Sequence, residues 1–335
     1  MKKQSSLMYI VRRTGLFILM LWIVSVVIFL ALRVLPGDVA SVIAGTNATM
    51  SKYQDIRAQL GLDKPLIVQY GEWLGNILTG NLGVSTLSGQ AMSVRLASRA
   101  ALTFPLIVMS MIIALVGALP LAVYSITSSH AWVRASLRAL SQIVGAVPAL
   151  WAGLLLILFA SKGHGVLNLL PSQGFPTRVF ESGQSFITAL ASLVLPAISV
   201  GVITAAHLMR YIRSAILDVE KSDYVTWSMA AGMTYAQAVR TTGLRLAAPQ
   251  IAAVSGVSFA SMITGVLTVE TLFNLPGLAT LFLSDVSQRD LPAVQTELLL
   301  LAAFFLIVGL IIDIIQQFLD PRLKGMNSNQ QEARA

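Results

Sequence analysis

The sequence has no cysteine, little charge and no lysine placed to cradle a phosphate, and each shortage removes a class of function. Without cysteine there is no disulfide, no thiolate nucleophile and no Cys-ligated metal, and the redox compartment is left open. Charged residues are 11% of the 335 and hydrophobic ones 56%, whereas an ordinary soluble domain is about 25% charged. So few charges cannot cover a soluble globule of this size. No Gly-x-x-x-x-Gly-Lys-[Ser/Thr] occurs, and none of the seven lysines follows a glycine, so any ATP must be bound by another chain. The run from Gly256 to Ala260 only mimics a nucleophile elbow, because it lies within an apolar stretch and not at a strand-to-helix turn. His130, His164 and His207 fall in separate predicted loops or span ends, without metal-ligand spacing.

What is present is long apolar runs. Lipid offers a bare backbone no hydrogen-bond partner, so only helices or closed barrels cross it. The run lengths select helices, since each crossing needs about 20 apolar residues. Six spans are predicted: Thr14 to Leu32, Leu102 to Ile126, Ala139 to Ser161, Ser182 to Met209, Leu246 to Val269 and Leu298 to Leu319. The first is longer than the apolar core of a signal peptide and lacks a small-residue cleavage site, so it reads as a retained helix.

Lys and Arg in the short loops set the orientation. With the N-terminus inside, fourteen basic residues are inside, among them Arg134, Arg138, Arg210, Arg213 and Arg322, and only Lys162, Arg178 and Arg289 are outside. Both termini are therefore expected in the cytoplasm. The net charge of +8 follows from this bias and requires no nucleic acid.

Three parts follow along the chain. Residues 1–99 hold the first span and a long external loop, residues 100–325 a five-helix core, and residues 326–335 a polar tail that reads as disordered. The external loop carries Ile67, Tyr70, Trp73, Leu74 and Ile77 at helical spacing, with Pro65 at the start of that helix and Gly80, Asn81 and Gly83 at its end.

Between the fourth and fifth spans, residues 210–246 read as helix, glycine break, helix. Ser222 is placed to cap a helix from Asp223 to Ala231, with Asp223 in the first turn where negative charge suits the dipole. Gly232 fits the left-handed position that ends it, and Thr234 with Gln237 has capping-box spacing. Ala230, Ala231 and Gly232 lack bulk, so another protein could approach the backbone there. A hairpin lying on lipid headgroups is the alternative, disfavoured by the few basic residues.

In the fifth span Ala252, Gly256, Ala260 and Thr264 recur every fourth residue and suit close helix packing, while Ser255, Ser258, Ser261 and Thr268 offer hydroxyls to a passing polar solute. Gly145, Pro148 and Gly153 suggest a bend in the third span, static or hinged. Asp313 stands as the one carboxylate deep in a predicted span. It is either an ion-coupling group or the structural partner of Arg12 or Arg322.

Several motifs together resemble the permease subunits of bacterial dipeptide, oligopeptide and nickel ABC importers, in particular the type with a long first external loop, over nearly the whole chain. They are Leu35-Pro36-Gly37-Asp38; LGLDKPLIVQY from Leu60, then Trp73 and Leu74; Gly80, Leu82, Gly83 and Ser85; DYVTWSMAAGM from Asp223; and ETLFNLPGL from Glu270, followed by Arg289, Asp290, Pro292, Gln295, Asp313 and Asp320-Pro321-Arg322. Asn81 stands where the family usually has Asp. Thr226, Met229 and Ala231 occupy positions that are usually basic, and the usual His and Asn before Pro249 are absent.

The resemblance implies an all-α integral membrane protein with the type I ABC importer permease fold. It implies a transport subunit, not an enzyme, with no catalytic residue, metal or cofactor of its own. ATP and Mg would be bound by two partner ATPase subunits or domains. A homologous second permease would complete a heterodimer in the bacterial plasma membrane, and an external substrate-binding lipoprotein would deliver peptide for alternating access. Asp223, Ala230, Ala231 and Gly232 are then expected to couple to the ATPases, Glu270, Phe273, Pro276 and Gly277 to form an external gate, and Ser258, Ser261 and Thr268 to line the pathway. Nickel chelates or another small polar solute are alternative cargoes. An ion-coupled secondary transporter using Asp313 is a reading from another class, favoured by a lone gene and disfavoured by neighbouring genes for ATPases and a binding protein; a membrane scaffold is a third, and it leaves the cytoplasmic glycine break and the external signatures without purpose. Reporter fusions after Ser85 and after Ser328 are expected on opposite sides of the membrane, and finding both on one side rejects the topology.

Overall fold

The computed structural model describes residues 2–34, 40, 44, 49–59, 61–162, 165–171, 174–175 and 183–319. The motifs at Leu35–Asp38 and Asp320–Arg322, His164, Arg178 and the tail 326–335 lie outside the described residues. The described elements are α1 (Lys2–Val34), α2 (Met50–Gln59), α3 (Leu66–Leu78), α4 (Met92–Thr127), α5 (Ala131–Ala146), α6 (Ala149–Ala160), α7 (Gly183–Glu220), α8 (Asp223–Ala230), α9 (Tyr235–Ala238), a π-turn (Val239–Gly243), α10 (Leu244–Leu272), α11 (Leu278–Ser287) and α12 (Leu291–Leu319). No strand occurs among the described residues, only two isolated bridges.

Helices α1, α4, α7 and α12 are each long and apolar enough to cross a membrane. Two broken helices complete the set: α5 with α6, bent by 100°, and Tyr235 to Leu272, bent by 43°. Counting each broken pair as one crossing makes six, in line with the expected number.

The bend expected in the third span is present, and it is a full break. Ala139 to Ser161 is not one rod, because Val147 and Pro148 are extended. Proline has no amide to donate and pushes the residue before it out of the helical region. Helix α6 alone rises about 18 Å, short of a ~30 Å hydrocarbon core. Gly145 and Gly153 flank this break and serve as packing sites. A β-carbon on Gly153 would stand 2.4 Å from Leu272 Cδ2, and one on Gly145 would stand 3.1 Å from the His207 ring. His207, near the end of the fourth expected span, lies inside α7, and its Nε2 donates to the Gly145 carbonyl at 2.9 Å, a group left without an intrahelical partner where α5 ends.

Cα proximity divides the chain into two compact units. The first comprises residues 1–103 and 276–307. Ile28, Leu32 and Val294 form a buried cluster there, with Phe282 and Leu298 packed against it. Helix α3 meets α1 through Phe29, whose ring centroid is 5.4 Å from Tyr70 and 6.1 Å from Trp73. The Tyr70 hydroxyl lies 2.8 Å from Ser25 Oγ. Arg95 and Asp285 form an ion pair at 2.9 Å with little solvent contact, so α11 is tied to the start of α4. Asp313 is not the one carboxylate within the apolar helices: α12 begins at Leu291, ahead of the expected Leu298, and takes in Glu297, which is buried, as is Glu270 in α10.

The second unit comprises residues 104–275 and 308–335. Helix α7 is its hub, packed by α5, α6 and α10. The small-residue stripe of α10 is divided in use. A β-carbon on Gly256 would meet Ile312 of α12 at 3.0 Å, so that glycine is a packing contact, whereas Ala260 and Thr264 are exposed. Helices α4 and α7 come close at Gly201, where an added β-carbon would stand 2.9 Å from both the Ser110 carbonyl oxygen and Ile113 Cγ2. Backbone cannot yield as a side-chain tip can, so Gly201→Ala is expected to destabilise by about 1–3 kcal/mol. The thermal midpoint in detergent should fall, while Gly309→Ala, with open space around it, should leave the midpoint level or raised.

Candidate functional site

The segment between α7 and α10 begins with α8, whose one buried side chain is Val225. Ser222 occupies the N-cap position with extended backbone, but its side chain makes no capping hydrogen bond, and the helix ends at Ala230, one residue earlier than expected. Gly232 has φ +94°. The Gly232 amide donates to the Met229 carbonyl and the Met233 amide to the Ser228 carbonyl, which together make a Schellman closure with the glycine in the left-handed position. The capping box at Thr234 and Gln237 is present in both directions. Ser228 and Thr242 hydroxyls at 2.9 Å tie α8 to the π-turn, and the Tyr235 hydroxyl donates to Glu220 at 2.7 Å.

Asp223, Ala230, Ala231 and Gly232 are therefore together on one short helix and its closing turn, all exposed. Sequence reasoning missed the largest part of this surface. Tyr224 and Trp227 are 70% and 74% exposed and three residues apart, hence on one helix face, with Met229 and Met233 also exposed. Bulky exposed aromatics beside a glycine turn were the available signal.

The segment from Glu270 begins at the end of α10. Asn274 takes the left-handed position at φ 50°, with the Asn274 amide donating to Thr271 and the Leu275 amide to Glu270. Glu270 and Phe273 are fully buried. Pro276 is exposed, Gly277 is buried and extended, and the Leu278 amide donates to Thr103 Oγ1 at 2.8 Å. Of the expected gate residues, Glu270 and Phe273 thus close the end of α10 in one unit, and Pro276 and Gly277 precede α11 in the other.

On α10, Ser258 is buried, Ser261 exposed and Thr268 half-buried. Ser261 and Thr268 donate their hydroxyls to carbonyls of their own helix, so only their lone pairs are left to meet a solute. Exposed Thr264 and Thr271 fall between and beyond them. Residues 261, 264, 268 and 271 share one face by helical spacing.

Asp290 lies after α11, where Arg289 takes φ 60°. Its carboxylate is buried and accepts from Ser85 Oγ at 2.6 Å, Thr86 Oγ1 at 2.8 Å, Thr86 N at 3.3 Å, and the Leu87 and Ala293 amides at 3.4 Å. Burial pushes this carboxyl up, but the hydrogen bonds from Ser85, Thr86 and Leu87 outweigh it and hold the group below its ordinary value. Two stretches quoted separately above, one around Gly83 and Ser85 and one around Arg289 and Asp290, are thereby a single clasp. Asn81 Oδ1 accepts from the Gly83 amide at 3.0 Å, a bond that an Asp at this position would also make.

The chain matches the model of the binding-protein-dependent transport system inner membrane component over residues 118–325, and that of the N-terminal part of the same membrane component over residues 6–96. It is 33% identical over 316 residues to a probable peptide ABC transporter permease protein of Sinorhizobium fredii, covering 94% of this chain and 99% of the relative. It is 31% identical over 316 residues to the glutathione transport system permease protein of Escherichia coli, covering 94% of this chain and 98% of the relative.

The Asp290 clasp carries a pH expectation. A carboxyl held below its ordinary value contributes stability above that value and loses it only as pH falls through the lower, folded one. Proteolysis of the 81–91 loop should therefore stay slow and level from pH 8 down to 5, and Asp290→Asn should speed it throughout that range. Loosening of the parent loop already at pH 6 would contradict this.

Proposed function

The chain belongs to the family of binding-protein-dependent transport system inner membrane components, and from that premise we propose that it is the permease subunit of an ATP-driven importer for di- and oligopeptides. The names of the relatives support the cargo class. A homologous second permease, two ATPase subunits or domains that bind ATP and Mg, and an external binding lipoprotein complete the machine. Both termini lie in the cytoplasm on this reading, as the basic residues suggest.

The observation that carries it is the α8 surface, a helix closed at Gly232 with Tyr224 and Trp227 exposed beside it. Large amphipathic rings next to an unencumbered turn suit insertion into a groove of a rigid partner, the residue types that dominate such interfaces. Closure of the ATPase pair on ATP would move α8 as a unit. The capping box and the Ser228–Thr242 contact would pass that motion through the π-turn into α10. The hydroxyl face of α10, with Ser261 and Thr268, would line the pathway together with the second permease, and the turn at Glu270, Phe273, Pro276 and Gly277 would close its external end. Hydroxyls whose protons already bond the helix present lone pairs, which suits the ammonium and amide N–H groups of a peptide.

Gly232→Asp tests the assignment. A β-carbon there has open space, with nothing within 4 Å, so the cost to the fold is the left-handed backbone alone, about 1 kcal/mol. Docking should suffer more, because a carboxylate buried in a groove without a partner costs several kcal/mol and each 1.4 kcal/mol is about tenfold in affinity. The variant is expected in the membrane at normal level, with ATPase co-purification and ligand-stimulated ATP hydrolysis lost, and Val84→Ile serves as the control. Normal coupling in the Gly232 variant would show that α8 is not the coupling element.

A further inference from the structure

A second site lies in the residue 104–275 unit, at the end of the bundle where α4 finishes and α5 begins. Arg138 of α5 with Arg210 and Arg213 of α7 line a cavity of about 300 Å³, in company with Ser141, Gln142 and Ser214. Among the described residues none of the three arginines is in an ion pair with a carboxylate. Arg213 Nη1 donates to the Ser125 carbonyl at 2.9 Å and to Ser125 Oγ at 3.2 Å, Arg138 Nε donates to the Arg134 carbonyl at 3.2 Å, and Arg210 is exposed. The nearby carboxylate, Glu220, accepts from Tyr235. Like charges brought this close repel, and Glu220 is one carboxylate against three arginines, so the cavity keeps a net positive charge and favours an anion.

The shape of the adjoining space says which kind. A second cavity, of about 230 Å³, shares Ser141 and Met209 with the first and is otherwise almost wholly apolar. Gly117 and Leu121 of α4, Leu140 and Val144 of α5 and Val202 of α7 line it. From Arg213 to Val202 along α7 is eleven residues, about 16 Å, so the apolar groove leads away from the cationic mouth along the bundle. A free anion has no use for the groove, and a hydrocarbon chain has none for the arginines. A molecule with a phosphate at one end and an acyl chain at the other satisfies both. Basic pockets between transmembrane helices are where anionic headgroups bind.

We propose that this pair of cavities holds one anionic glycerophospholipid, its phosphate among Arg138, Arg210 and Arg213 and one acyl chain in the groove past Gly117. On the orientation proposed above the lipid belongs to the inner leaflet. The site does not depend on the α8 assignment, and its test reads lipid binding, not transport.

The test is native mass spectrometry of the whole delipidated importer, titrated with dioleoylphosphatidylglycerol, with dioleoylphosphatidylcholine, or with inorganic phosphate. One saturable phosphatidylglycerol is expected, with phosphatidylcholine much weaker and phosphate unable to displace it. Arg210→Gln removes a charge that makes no hydrogen bond within the described chain and should weaken phosphatidylglycerol about fivefold. Gly117→Leu leaves every charge in place and fills the groove. It should also lose the lipid, since a β-carbon there makes only ordinary contact, 3.6 Å from Ala205 Cβ. Equal retention by parent and Arg210→Gln overturns the proposal, as does displacement by phosphate with Gly117→Leu unaffected, which would mark a free-anion site. Failure of the whole importer to retain any lipid there, as when a partner subunit covers the arginines, overturns it too.

Discussion

In hydrocarbon there is no water to take up a stray N–H or C=O, and the long helices of this protein carry that constraint into their side chains. The hydroxyls of Ser110, Ser199, Thr204, Ser255 and Thr268 each donate to a carbonyl four residues earlier. Small polar residues can thus sit within apolar helices without an orphaned proton, while keeping lone pairs for use. Backbone groups without a helical partner are then left at helix ends and opposite the prolines inside α4, α7 and α10, and the ends are where most of the remaining polar problems are solved. Helices α3, α8, α10 and α11 all stop in the same way, with the next two amides turned back onto the last turn.

Only two of those four closures use glycine, Gly80 and Gly232; the others place Asn274 and Arg289 at positive φ. A side chain in that region costs about 1 kcal/mol or more, less for Asn. The surroundings of Arg289 offset such a cost: the residue that follows, Asp290, is held by hydroxyls and amides of the 85–87 loop, and α11 is pinned from its other side by Arg95 and Asp285. Breaking a buried pair of this kind by removing one partner typically costs about 3–5 kcal/mol. The unit of residues 1–103 and 276–307 is therefore over-determined around α11. The α8 segment is the opposite case, a short helix with one buried side chain and aromatic rings in the open. Surface left so uncovered suits a partner.

The arginine-lined cavity and the α10 hydroxyl face differ in the same physical sense. On α10 the hydroxyl protons are satisfied within the helix, which leaves only lone pairs for weak, exchangeable contacts. At Arg138, Arg210 and Arg213 positive charge exceeds what Glu220 offsets, which favours a resident anion.

Legible in the chain alone were the helical class, six apolar stretches of spanning length, the family resemblance, the capping box at Thr234 and the left-handed position at Gly232. These rest on local physics: run length, periodicity, and a residue without a β-carbon next to a helix end. Where a feature depended on what another element brings to the same place, the chain alone was silent or misleading. Gly153 was legible as part of a bend, static or hinged, but not as a seat for Leu272; His207 was legible at a span end, but not as the donor that closes the end of α5 from within α7. Ser85 and Asp290 were legible as separate motifs, but they are 205 positions apart and their bond has no periodicity to betray it. The three arginines read only as inner-face charge until α5 and α7 placed them around one cavity. Tertiary structure decided these because burial, close approach and the pairing of distant charges are properties of the space between helices, and hydrophobic pattern along one helix reports only which face is apolar, not what will lie against it.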